Sequence, residues 1–183
     1  MEGFTSYSEL PQFYIDAVIS VEDYRFENHC GIDLIAIGRA MLTDIKKHSF
    51  IHGGSTITQQ LAKNMLFTQE KKLERKVAEV FAALELECNY SKEDIFELYV
   101  NTSYFGNGYY GVREAADGYF GKTFSELSEY ECAMLAGIPN APSVYSPNAV
   151  NESTARRVEC VLESIVKNRI ISQEQAYNIE MEQ

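Results

Sequence analysis

Positive charge is scarce in this chain: 16 Lys and Arg stand against 27 Asp and Glu, for a formal net charge of −11 over 183 residues. General nucleic-acid binding needs a basic footprint that displaces counterions, so that class is excluded in bulk and each cation must be judged by its position. Paired metal ligands are lacking too. The four cysteines, at 30, 88, 132 and 160, form no CxxC, and the histidines at 29, 48 and 52 give no HExxH or His/Cys spacing, so no zinc site is expected. Cys88 and Cys132 fall on apolar helix faces and read as small buried residues. No apolar run approaches the ~20 residues that cross a bilayer, and no signal peptide is recognisable, so the chain reads as soluble or peripheral. Nor does any segment alternate long enough for a strand. With 45% hydrophobic residues, no repeat and no interdomain linker, residues 1–183 are expected to form one mainly α domain.

What is present is helical periodicity. Pro11 can open a helix on Tyr14, Ala17, Val18 and Val21, with Glu22 beside the stripe near its end and Gly31 closing the segment. A second helix is expected over 32–45 on Leu34, Ile37, Met41 and Ile45, with Arg39 on the far side, followed by a mobile loop over 46–54. From about 69 to 89, Leu73, Val77, Val80, Leu84 and Cys88 make an apolar stripe with Phe81 adjoining. On the opposite side Ala82, Ala83 and Leu86 leave Glu79 at the edge of a buried region. Ser91 with Asp94 caps a short helix through Tyr99, and Asn101 to Gly111 reads as an aromatic, glycine-punctuated loop. Further helices are expected over 112–120, closed by Gly121, and over 129–136, opened by Ser128 with Glu131 and closed by Gly137. The loop 139–148 holds three prolines, and helices near 151–168 and 172–181 finish the chain.

Three groups of residues carry chemistry. In Gly53-Gly54-Ser55-Thr56-Ile57-Thr58-Gln59-Gln60 a glycine turn precedes a helix whose Thr56 and Gln59 have capping-box spacing. Backbone N–H groups and the positive end of the helix dipole would converge near Ser55 and Thr56, a place suited to a phosphate. Thr56, Gln59 or Gln60, and Lys63 would share one face while Ile57, Leu61 and Met65 point to the core; an ordinary capped amphipathic helix explains the same pattern. Lys63, Lys71, Lys72, Arg75 and Lys76 form a basic cluster that could receive a small anion or stand as a solvated face. Glu22, next to Asp23 and an apolar stripe, suits general acid or base work, against the alternative of a helix-end carboxylate paired with Arg25 or solvent. Glu79, one turn after Arg75, should make a local ion pair.

Read in order, these pieces form a pattern: Glu22-Asp23-x-x-Phe26-x-x-His29-x-Gly31, the octapeptide at 53–60, and Arg75-Lys76-x-x-Glu79. Lys92-x-x-Ile95-x-x-x-Tyr99-Val100-Asn101, Tyr104-Phe105-Gly106, Tyr119-Phe120-Gly121-Lys122 and Ala136-Gly137-Ile138-Pro139-x-Ala141-Pro142-Ser143 follow. From about Tyr7 to Pro147 the chain resembles the peptidoglycan glycosyltransferases, family 51, of monofunctional transglycosylases and class A penicillin-binding proteins. The resemblance implies a mainly α, lysozyme-like domain, bilobed, with a substrate groove and a smaller membrane-facing lobe whose mobile part is about 32–54. It also implies polymerisation of lipid II with the growing glycan chain as donor, release of undecaprenyl pyrophosphate and inversion at the anomeric carbon.

Carried over by residue, Glu22 would be the general base and Glu79 would assist departure of the pyrophosphate. Arg39, Ser55, Thr56, Gln59, Gln60, Lys63, Lys71, Arg75 and Lys76 would bind substrate. Asp23, Phe26, His29, Gly31, Gly53, Gly54 and Asn101 would be structural. A divalent cation, Mg2+ by expectation, would bridge the pyrophosphate without a visible carboxylate cage. An inverting reaction implies the two carboxylates on the order of 6–10 Å apart. The implied setting is the extracytoplasmic face of the bacterial cytoplasmic membrane. The family's transmembrane helix and, in bifunctional members, its transpeptidase domain are partners this chain lacks, so it reads as an excised domain or a natural truncation. A lysozyme-like lytic transglycosylase or hydrolase, and a non-catalytic lipid II-binding module, remain open at this point.

Overall fold

The computed structural model describes residues 3–39, 54–66, 73–147 and 152–182. Among them no strand forms; a single antiparallel bridge joins Tyr104 and Tyr110. The mainly α expectation therefore holds. The chain divides into two compact units, Met1–Tyr24 with Val100–Gln183, and Arg25–Tyr99.

In the first unit, α1 (Gln12–Glu22) packs on α7 (Glu129–Gly137) and α9 (Glu152–Lys167), with the one-turn α8 (Pro142–Tyr145) and α10 (Gln173–Glu180) against α9. The sequence of α7 dictates its central place: beyond its first turn it is apolar or small, and Cys132, Ala133, Leu135 and Ala136 are buried. Its start is fixed by the expected cap, in which Ser128 Oγ accepts from the Glu131 N–H at 3.2 Å and the Ser128 N–H donates to Glu131 Oε2 at 2.8 Å. The helix α6 (Val112–Phe120) ends at Gly121 in the left-handed region, as its sequence requires. Pro11 stands just before α1, which stops at Glu22 and not near Gly31; a 3-10 turn over Phe26–Asn28 intervenes. The helix α5 (Lys92–Thr102) is longer than expected and carries Asn101 into its last turn. There the amide of Asn101 accepts from the Thr5 N–H at 2.9 Å and donates to Thr5 O at 2.8 Å.

The second unit holds α2, whose described part is 34–39, then α3 (Ile57–Leu66), α4 (Leu73–Asn89) and the first two turns of α5. Asp33 opens α2, its Oδ1 accepting from the Ile35 and Ala36 N–H groups at 2.9 Å each. The other oxygen of Asp33 takes Arg25 Nε at 3.1 Å, so Arg25 is an Asp33 partner. The helix α3 lies on α4.

Three expectations fail here. On α4 the face that turns inward is that of Glu79 and Ala83, whereas Val77 and Phe81 are 52% and 68% exposed. Cys88, on the same stripe, is exposed, while Cys132 is buried as expected. Met65 of α3 and Leu34 of α2 are exposed, although Ile57 and Leu61 are fully buried. On α4 the cause is that helix periodicity counts apolar residues only, while this helix buries an ion network on its other side. Gly53, Lys71, Lys72, Met41, Ile45, His48 and His52, with most of the 46–54 loop, lie outside the described residues.

Candidate active site

The start of α3 is built by its own sequence. The Thr56 N–H donates to Gln59 Oε1 and the Gln59 N–H to Thr56 Oγ1, both at 3.1 Å, a reciprocal capping box. Thr56 Oγ1 also donates to Gly31 O at 2.6 Å. Thr56 and Gln59, expected to touch a ligand, are instead buried and committed to the cap, so their amides are not offered outward. Ser55, one residue earlier, is half-buried and takes a different partner: Lys76 Nζ donates to its Oγ at 2.7 Å.

That lysine links two of the sequence motifs. Its ammonium lies 3.1 Å from Glu79 Oε2, and Arg75 Nε lies 2.9 Å from Glu79 Oε1. Glu79 is 2% exposed, and a carboxylate so dry persists only if compensated. Both cations come from the turn before it on α4, so the compensation is local to one helix. Two positive charges face one negative charge, and the surplus sits beside Ser55 at the positive pole of the α3 dipole. An anion brought there meets a cation that is already oriented. Gln60 is half-buried on α3, Lys63 exposed on α3 and Arg39 exposed on α2.

Glu22 belongs to the other unit and is held differently. It ends α1 with its side chain 7% exposed, and Arg157 Nη2 donates to its Oε1 at 2.9 Å. The same guanidinium donates through Nε to Gly137 O at 3.0 Å and lies 5.5 Å over the Tyr145 ring. A Cβ at Gly137 would come within 2.9 Å of Arg157 Cγ, which is why that position of the Ala136–Ser143 motif is glycine. Arg157 was not anticipated. Its signal was an arginine flanking the buried stripe Thr154, Val158, Val161 and Ile165 of α9, where an ion pair is the usual reason for a charge.

The remaining motif residues make contacts within the fold. Phe26 is buried, and His29 meets its ring edge-on while accepting the Gly31 N–H on Nδ1 at 3.2 Å. Asp23 is buried at the end of α1. Gly54 is half-buried just before Ser55. No three His, Cys, Asp or Glu side chains gather as a metal site among the described residues.

One unit thus carries a cation-rich turn at a helix start, and the other a buried carboxylate held by an arginine. The transglycosylase family matches residues 2–166. Penicillin-binding protein 1A of Aquifex aeolicus is 42% identical over 172 residues, 94% of this chain and 24% of that protein. Penicillin-binding protein 1F of Bacillus subtilis is 43% identical over 171 residues, 93% of this chain and 24% of that protein. The crystal structure of penicillin-binding protein 1A from Haemophilus influenzae aligns with a TM-score of 0.48 at 28% identity, over 69% of this chain and 16% of that one. The chain belongs to the transglycosylase family. It spans about a quarter of the length of the two penicillin-binding proteins it matches in sequence.

Proposed function

We propose that this domain polymerises lipid II into glycan strands, with the growing chain as donor and undecaprenyl pyrophosphate as leaving group. The Ser55–Lys76–Glu79–Arg75 network supports this reading most directly, because it supplies an ordered positive charge where a diphosphate would bind. In this reading the acceptor sugar hydroxyl attacks the anomeric carbon and Glu22 takes its proton. The bond to the diphosphate breaks, and the leaving group departs with the electron pair. One displacement inverts the anomeric centre. Glu79 acts through Lys76 and Arg75, holding them in place as charge develops on the diphosphate. Gln60, Lys63, Lys71 and Arg39 add contacts to donor phosphates and sugars.

A divalent cation, magnesium in this reading, would come with the diphosphate and offset its charge; the side chains of the network do not fit a protein-held ion, since both Glu79 oxygens already face cations. The lysozyme-like groove, the membrane-facing part over about 32–54, the extracytoplasmic setting and the flanking transmembrane and transpeptidase segments belong to the same proposal. No described helix is long and apolar enough to cross a membrane. Incubating the purified chain with labelled lipid II and magnesium tests it. Chain growth with stoichiometric undecaprenyl pyrophosphate is expected; cleavage of finished glycan without growth would overturn it.

A further inference from the structure

One polar cluster in the Arg25–Tyr99 unit has no part in the chemistry above. Glu87, two turns beyond Glu79 on α4, has its side chain 7% exposed. Its Oε1 accepts from Thr58 Oγ1 at 2.6 Å and from Lys92 Nζ at 2.8 Å. Lys92 Nζ also donates to His29 O at 2.7 Å and stands 4.5 Å over the Phe26 ring. Gly31 closes the set: its φ is +85°, and a Cβ there would come within 2.9 Å of Ala83 O and 3.2 Å of Glu87 Cγ.

A buried carboxylate must be compensated, and Lys92 does that by itself. The short hydrogen bond from Thr58 is then an additional, charge-assisted tie whose direction matters. Thr58 lies in the first turn of α3, two residues after the capping threonine. Ser55, at the other edge of that turn, is tied to Lys76. The helix start is thus fastened to α4 at two points, through Lys76 and through Glu87, three turns apart on that helix. Thr56, between them, is tied to Gly31 O, and the segment 29–31 is itself tied to Lys92. Dipoles and charges help transfer only when they are held in the productive orientation before the ligand arrives.

We propose that Glu87, neutralised by Lys92, is a positioning residue that fixes the first turn of α3 so that Ser55 and Lys76 receive the donor diphosphate. This rests on the reading of that turn as the diphosphate site. The test is a lipid II titration in detergent with the purified chain, reading Kd, the single-turnover rate at saturation and the thermal midpoint. Thr58→Val keeps shape and leaves the Glu87–Lys92 pair intact; it is expected to raise Kd about tenfold, the worth of one charge-assisted hydrogen bond, with the saturated rate within about twofold. Thr58→Ser restores the donor and should return Kd to the wild-type value, while Glu87→Gln should weaken binding at least as much as Thr58→Val. A folded Thr58→Val chain with wild-type Kd, or equal weakening in Thr58→Ser, overturns the proposal. Should Glu87→Gln fail to fold, the threonine pair decides alone. A wild-type chain that binds no lipid II sinks the diphosphate reading itself, and that result is visible before any variant is made.

Discussion

Glu22 and Glu79 are both withdrawn from water, but Glu79 is neutralised from within its own helix and Glu22 by a residue 135 positions away in sequence. The local cluster forms as α4 forms and carries a surplus positive charge. The distant pair exists only once α1, α7 and α9 have packed, since Arg157 needs Gly137 and the Tyr145 ring as well as Glu22. In the proposed reading the first arrangement holds an anion and the second holds a proton acceptor in one orientation. The two clusters should therefore respond to substitution in different observables.

The largest effect is expected at Glu22, where Glu22→Gln should lower the polymerisation rate about 10²- to 10⁴-fold, the usual worth of general base catalysis, with the fold and lipid II binding retained. Next comes Glu79→Ala, which takes a buried carboxylate from two partly exposed cations and should cost about 1.5–3 kcal/mol in urea unfolding. If its loss were below about 1 kcal/mol, in the range of exposed surface pairs, the idea of a dry, locally compensated carboxylate would fail. Gly31→Ala should cost about 1–3 kcal/mol, because the residue is held at positive φ with Ala83 O against it. Lys63→Ala should only weaken donor affinity, by a few fold, since an exposed lysine contributes about 1 kcal/mol or less; equal binding of a diphosphate-bearing inhibitor to both forms would remove Lys63 from the site.

Much of this architecture is legible in the sequence where the determinant is local. Ser128 with Glu131, Ser91 with Asp94 and Gly121 mark helix ends that the structure reproduces. The Thr56–Gln59 box is likewise read directly from spacing. Periodicity misleads on α4, because hydrophobic counting ranks Val77 and Phe81 above Glu79, and only the pairing of Glu79 with Arg75 and Lys76 makes its burial possible. Arg25 illustrates the opposite limit: two nearby acidic residues compete for it, and the cap geometry of Asp33 decides. Arg157 was hidden because no spacing rule links positions so far apart.

The packing of α7 offers a smaller check. Burial pushes the Cys132 thiol up to about 12, with Glu131 and Glu129 adding repulsion. Its folded value is raised, so the stability it contributes is complete below the ordinary thiol value of 9.0 and is lost as pH rises from there toward about 12. In the native chain at pH 8, Cys30, Cys88 and Cys160 should react with a maleimide and Cys132 should not until unfolding.

The division of labour between the two clusters is tested most directly by one titration of single-turnover polymerisation against lipid II, run on wild type, Glu22→Gln and Lys76→Met. Lys76→Met should shift half-saturation to higher lipid II with much of the plateau kept, while Glu22→Gln should collapse the plateau and leave half-saturation nearly unmoved. A Glu22→Gln chain that keeps its plateau, or a Lys76→Met chain that binds as tightly as wild type, would contradict the account.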